Sequence, residues 1–282
     1  MKLSCAFPLL AAAACVPAGN STQGDAGSAA NNNNTIQAPS FRPSQNIMTA
    51  VFEDNFERSS HPIPPLMPSV APSASASAST SASASAPIIP GLTSPPADDL
   101  GPNWRQAQTN AWHIENGRLC GQMAHNHGVW LNRILPVNAR IEFDAIAENA
   151  DGDLKAEIWG DGQSHATSVT YNNATSYLTI LGGWKNHYHV LARINEHAPD
   201  RREIKVDKDS DDPKEHPVAV AQIYHFKVER NDGHTVRWAV NGLDMLHYDD
   251  PGPLAGMGHD HFGFNDWEVK VCFDNVKVTP LP

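Results

Sequence analysis

The residues with the most chemistry in them sit at alternating positions. Glu142 and Asp144 are two apart in ARIEFDAIA, and Glu157 falls inside LKAEIW. On an extended strand, positions i and i+2 project to the same face. Ile141, Phe143 and Ala145 take the apolar side of the first segment, which leaves Arg140, Glu142, Asp144 and Glu148 on the other. In the second, Leu154, Ala156 and Ile158 point inward, while Lys155, Glu157 and Trp159 point outward. Cleaving a glycosidic bond takes an acid and a base or nucleophile on either side of it. Glu157 with Glu142 or Asp144 is therefore the candidate catalytic trio. Salt bridges with Arg140, Lys155 and Arg193 are the alternative use of the same carboxylates.

The same parity sorts the other segments. Trp130 and Asn132 lie opposite Val129 and Leu131. His187, His189, Arg193 and Asn195 lie opposite Val190, Ala192 and Ile194. His259, His261 and Asn265 lie opposite Phe262 and Phe264. If these strands share a sheet, its outer face mixes indoles, carboxylates, imidazoles and amides. Aromatic faces pack on the C–H side of a pyranose, and planar polar groups read its hydroxyls. Trp130, Trp159, Trp184, Asn186, His189, Arg193, His261 and Asn265 are expected to line such a groove. A merely solvated polar face is the plain alternative. In GGWKNHYH, Gly182-Gly183 allows a turn or a close approach to a ligand, with Trp184 and Asn186 at a strand end.

Three His-x-His pairs occur, His125/His127, His187/His189 and His259/His261, in a chain with 14 histidines. On strands each pair could chelate a transition metal, and two pairs on one sheet would make a Zn2+ site with Glu157 activating water. Sugar hydrogen bonding or simple exposure uses the same imidazoles without a metal.

The elements that must position these residues read as antiparallel β. Expected strands cover 112–114, 119–123, 129–135, 139–147, 154–159, 166–171, 177–181, 187–195, 223–230, 235–240 and a closing pair. Asx-Gly pairs at 116–117, 151–152, 161–162, 232–233 and 241–242 suit tight hairpin turns. No stretch keeps a helical period, so the fold class is an all-β sandwich. Residues 205–216 read as a charged, solvated loop.

The first third cannot build a core. Residues 1–14 read as an export signal. Ala12-Ala13-Ala14-Cys15 resembles a bacterial lipobox, with Ala12 where that motif prefers Leu. Lipidation of Cys15 would anchor the chain to a membrane without spanning it. Residues 15–50, rich in Asn, Gly, Ser and Ala, read as a disordered tether. Residues 59–97, with alternating Ser and Ala between prolines, read as a disordered insertion within a domain spanning 51–282. The expected location is the bacterial cell envelope, either anchored at the outer membrane or secreted. A formal net charge of −11 argues against nucleic acid as a partner, because no basic patch exists to displace counterions from phosphates.

Two segments, VFEDNFER at 51–58 and HDHFGFNDWEVKVCFDNVKVTPL at 259–281, resemble the two ends of a concanavalin A-like jelly roll, the lectin/glucanase sandwich of two antiparallel sheets. The likeness extends over 51–58 and 100–281. GGWKNHYHVLARINEHAPDRR at 182–202, together with GHDHFGFNDWE at 258–268, resembles a family of bacterial sandwich lipoproteins and, distantly, keto-disaccharide hydrolase-like domains. The jelly-roll resemblance implies that the first and closing strands are neighbours. It also implies that a Cys120–Cys272 disulfide can form on the face opposite the apolar parity, with two free thiols as the alternative. Such sandwiches often hold a structural Ca2+, for which Asp54 and Asp274, with Asn275, offer oxygens; calcium needs six or more. Laminarinase-like members carry Glu-x-Asp-x-(x)-Glu on one strand. Glu142-Phe143-Asp144 matches its start, but Glu148 falls one position late, so that assignment is not carried over. The superfold implies a glycan or polysaccharide as partner and does not say whether this copy cuts it; binding without catalysis is the leading reading. The alternatives are a glycoside-cleaving or lyase-like enzyme, and a structural or protein-interaction domain.

Overall fold

A computed structural model of the protein describes residues 46–58, 100–107 and 111–282. The expected signal, Cys15, most of the tether and the whole 59–97 insertion lie outside the described residues.

In chain order the described strands are β1 (Phe52–Asp54), β2 (Trp104–Gln106), β3 (Trp112–Glu115), β4 (Arg118–Gly121) and β5 (Val129–Leu131). There follow β6 (Ala139–Ala147), β7 (Leu154–Gly160), β8 (Tyr177–Gly182), β9 (Tyr188–Arg193) and β10 (Arg202–Lys205). The last are β11 (Tyr224–Arg230), β12 (Thr235–Val240), β13 (Leu243–Asp249), β14 (His261–Asn265) and β15 (Val271–Pro280). They form two antiparallel sheets. One runs β13-β12-β11-β6-β15-β4-β3, with β1 on β15; the other runs β10-β9-β8-β7-β14-β5-β2. This is the expected all-β sandwich of two antiparallel sheets. The first and closing strands are neighbours, with Phe52 opposite Val278 and Asp54 opposite Val276. The ordered body reaches back into the expected tether, since Met48 N–H donates to the Ile134 carbonyl at 2.8 Å and Met48 packs on the core.

The core lies between the sheets and is centred on Phe143. Its ring meets Phe226 at 4.8 Å and Phe264 at 5.0 Å, and Phe264 stacks on Phe273 at 3.9 Å. Alternation on β6 and β15 supplies Phe143 and Phe273 from one sheet, and β14 supplies Phe264 from the other. Cys120 and Cys272 are directly opposite on β4 and β15 and form the disulfide. The Asn-Gly pairs at 116–117 and 241–242 both have positive φ, as their two-residue hairpins require.

The seven-stranded sheet departs from simple alternation in two places. Trp159 adopts φ 55° at a β-bulge, where the pairing with β14 slips between His261 and Phe262. The extra residue reverses the side-chain direction, so Trp159 turns into the core and meets Tyr177 edge-on. On β8 and β9 both faces are apolar. Tyr177, Leu181 and Leu191 join the intersheet core, whereas Leu178, Ile180, Val190 and Ala192 form a second cluster on the outer face with Ala166, Tyr171 and Ala174. The parity assigned to 187–195 from sequence is therefore inverted. Residues 166–171 are not a strand; they belong to a covering segment whose Tyr171 packs down on that outer face.

Candidate functional site

Register fixes what the outer face of the seven-stranded sheet presents. One row across the strands reads Trp130, Gly263, Glu157, Leu178 and Ala192; the next reads Asn265, Lys155, Ile180 and Val190. The first row is sealed. Trp130 lies across Gly160 and Gly263, where any Cβ would collide with its indole. Glu157 is fully buried and accepts hydrogen bonds from the Tyr171 hydroxyl at 2.9 Å, the Ser176 hydroxyl at 2.6 Å and the Asn265 amide. Burial pushes its carboxyl up to about 7, against the pull of those three donors.

The second row is open at Lys155. A cavity of about 470 Å3 lies over it, with Trp184, Trp267, Val169 and Ile180 among its walls and Asn126, Asp153, Lys155 and Glu196 among its polar lining. The Lys155 ammonium donates to Asn126 Oδ1 at 2.8 Å and Glu196 Oε2 at 3.0 Å, with Asp153 Oδ1 at 3.9 Å. Burial alone would lower this lysine. The neighbouring Asp153 and Glu196 outweigh it and hold the ammonium well above its ordinary range. Burial raises Asp153, which accepts the Trp267 N–H at 3.1 Å. Burial and then the charge of Asp153 push Asp266 up to about 7, and its Oδ1 has no partner among the described residues. The result is a small hydrogen-bonding floor between two half-exposed indoles, the form of a ligand pocket rather than a solvated face.

One wall is built on a strained turn. Gly182 has φ 73°, and Trp184, Lys185 and Asn186 follow with φ 53°, 58° and 62°. Successive left-handed residues other than glycine are costly and persist where the surroundings impose them. Asn186 does the imposing. Its Nδ2 donates to the Ala150 and Val218 carbonyls at 2.9 and 2.8 Å, and its Oδ1 accepts the Val218 N–H at 2.8 Å. Trp184 is held edge-on to His197 at 5.4 Å, with the Arg201 guanidinium over its ring at 4.7 Å.

Of the residues expected to bind, Trp184 lines this pocket. Asn186 spends its amide on backbone. His189 is buried facing away from the pocket. It accepts the Gly182 N–H at Nδ1, which places its proton on Nε2 toward the His216 carbonyl. Burial lowers its pKa, so it stands as a neutral structural imidazole beside a second cavity of about 450 Å3. Arg193, on the same inverted strand, pairs with Asp250 at 2.6 Å. Trp130 and Asn265 are buried, Trp130 across Gly160 and Gly263 and Asn265 against Glu157. Trp159 is in the core, where Arg230 stacks at 3.8 Å. His261 is buried against Asp260 at 2.6 Å.

The catalytic trio is divided. Glu142 and Asp144 face outward from the eight-stranded sheet and Glu157 outward from the seven-stranded one, with Phe143 and Phe264 between them. Asp144 instead meets His225 at 3.0 Å and Asn275 at 2.9 Å. Asp54 holds Arg58 and accepts the Trp104 indole N–H at 2.9 Å. Asp274 caps the Asn275 N–H at 2.7 Å. Among the described residues no three His, Cys, Asp or Glu side chains are grouped to hold a metal. Two of the His-x-His pairs do not present both rings together, since His125 and Asn126 form a left-handed turn and His187 is exposed while His189 is buried; in the third, His259 Nδ1 meets the Thr175 carbonyl and His261 Nδ1 meets Asp260.

The pocket residues not expected to bind include Asn126, Asp153, Lys155, Glu196 and Trp267. Lys155 was placed on the correct face, and Trp267 lies two positions beyond Asn265 in the same motif. Asn126 and Glu196 arrive on loops, where parity gives no signal.

No protein-family model matches the chain, and no curated protein matches it. Among solved structures it is similar to the carbohydrate-binding module CBM66 from Bacillus subtilis, at 17% identity and TM-score 0.46, over 62% of this chain and 94% of that one. It is similar to the galectin LEC-6 of Caenorhabditis elegans at 12% identity and TM-score 0.34, over 50% and 82% of the two chains. It is also similar to a structure from work on endo-acting O-glycanases of the human gut microbiota, at 13% identity and TM-score 0.42, over 64% and 92%.

Proposed function

We propose that the chain is a non-catalytic glycan-binding sandwich whose ligand sits in the pocket over Lys155. The observation that carries this reading is the pairing of two half-exposed indoles, Trp184 and Trp267, with a buried polar floor of Asn126, Lys155, Asp153 and Glu196. A pyranose offers the complement: C–H faces for the indoles and hydroxyls for a floor that both donates and accepts. Glycoside cleavage is the weaker reading, because its expected carboxylates lie on opposite faces of the sandwich and Glu157 is sealed.

Export and lipid anchoring at Cys15 are part of the proposal. The Cys120–Cys272 disulfide suits an oxidising compartment. The 1–15 segment supplies the apolar run and acceptor thiol. Palmitate labelling that Cys15→Ser abolishes would support the anchor; labelling that survives would remove it.

A glycan array probed with the purified protein tests the binding reading. Binding that Trp184→Ala and Trp267→Ala each reduce at least about tenfold, with unchanged circular dichroism, supports it. Binding untouched by both substitutions moves the site elsewhere, and no binding to any glycan leaves an interaction domain.

A further inference from the structure

We propose that the pocket accepts pyranose units without an acidic group and turns away uronates and sulfated sugars, an inference that rests on the glycan-binding reading above. The lining sets the carboxylates Asp151, Asp153, Glu196 and Glu268 against the ammonium groups of Lys155 and Lys185. Lys155, the cation at the floor, is only 3% exposed and is already held by Glu196, Asn126 and Asp153. An incoming carboxylate would have to displace one of these to pair with it, and would meet the others at short range in a poorly solvated space. Lys185 is exposed at the rim, where its single ammonium is outnumbered by two exposed carboxylates. Asp151 and Glu268 are also exposed at the rim, and neither carries an ion pair among the described residues.

The floor offers a specific hydrogen bond to a neutral group. Asn126 is 1% exposed, and its Oδ1 accepts from the Lys155 ammonium. An ammonium can only donate, which fixes the orientation of the amide. The Asn126 Nδ2 then has no partner among the described residues while its residue lines the cavity. It is a donor suited to a sugar hydroxyl or an acetamido carbonyl. Acidic side chains near it disfavour a carboxylate or sulfate arriving in the same place.

The test is calorimetric titration of the full chain with three oligosaccharides of equal length: a neutral hexose oligomer, a hexosamine oligomer with free amines, and a uronate oligomer. The uronate is expected to bind at least about tenfold more weakly than the neutral oligomer, with the difference shrinking at high salt. Asp151→Asn combined with Glu268→Gln should recover part of the uronate affinity. Uronate binding as tight as the neutral oligomer, or a penalty unmoved by the double substitution, overturns the inference and leaves the pocket a glycan site. Absence of binding by all three overturns both readings together.

Discussion

The Lys155 ammonium lies 3.0 Å from Glu196 Oε2 on the floor of the pocket, with both side chains less than one-tenth exposed. Removing one partner of a buried pair leaves the other uncompensated, at a cost of about 3–5 kcal/mol. Lys155→Met should therefore destabilise the protein by about that much at neutral pH. The loss should shrink in acid, where Asp153, whose carboxyl is already raised by burial, takes up a proton. Glu196→Leu added to Lys155→Met should restore part of the stability, as a coupled pair requires. Urea unfolding of the two single variants and the double variant at two pH values measures this; additive losses would show the pair to be uncoupled.

Glu157 and Asp266 both have carboxyls raised to about 7 by burial. A raised pKa means that the folded state binds the proton more tightly than the unfolded chain. Stability from these groups is then full below the ordinary carboxylate range and falls as pH rises through about 7. Each group accounts for a loss of at most about 3 kcal/mol between roughly pH 4.5 and 7. Glu157→Gln keeps a side chain that can accept from Tyr171 and Ser176 but cannot titrate. It should flatten part of the decline in chemical-denaturation midpoints across that window. A wild-type profile that rises with pH there would contradict the assignment.

Cys120 and Cys272 are opposite on adjacent strands and 152 residues apart in sequence. The ladder already brings them together, so the bond acts mainly on the unfolded chain. Closing so long a loop is worth about 5 kcal/mol by chain entropy, with measured losses commonly about 2–5 kcal/mol. Cys120→Ala with Cys272→Ala should lower the denaturation midpoint accordingly and leave the near-ultraviolet spectrum of the folded state intact. A spectrum that changes with the substitutions would mean the bond also shapes the fold.

The sandwich was legible because β6, β14 and β15 are apolar on one face only, and Phe143, Phe262 and Phe273 announce it at two-residue spacing. β7 was legible as far as Ile158. The bulge at Trp159 then reversed the pattern, and nothing in its residue type marks that turn. β8 and β9 misled for another reason: the covering segment makes their outer face apolar too, so Val190 and Leu191 are equally buried and parity carries no direction. The pocket was half legible. Lys155 and Trp184 could be placed on the right sheet face and strand end, but Asn126, Glu196 and Trp267 come from turns and loops, whose positions depend on tertiary contacts. The catalytic trio failed because parity gives the face of a strand and not the sheet that the strand joins.

Lys185 and Asn186 are neighbours in one left-handed turn, and substitutions at the two should move stability in opposite directions. Lys185 has φ 58°, a conformation that costs a residue with a Cβ roughly 1–2 kcal/mol. Lys185→Gly removes that strain and adds about 0.4–1 kcal/mol of unfolded-chain entropy against it, for a net gain of about 0.5–1 kcal/mol. Asn186 tolerates φ 62° as few residues do and makes three hydrogen bonds, to Ala150 and Val218. Asn186→Ala loses those bonds and keeps the strain, a cost of about 2–4 kcal/mol. It should also release Trp184, seen as a red-shifted emission in a variant whose other exposed tryptophan is replaced by Trp267→Phe. Thermal melts decide the sign. Stabilisation by Lys185→Gly with destabilisation by Asn186→Ala means the turn is held against its own preference by Asn186. Destabilisation by both would mean that the Lys185 side chain contributes more than its backbone conformation costs.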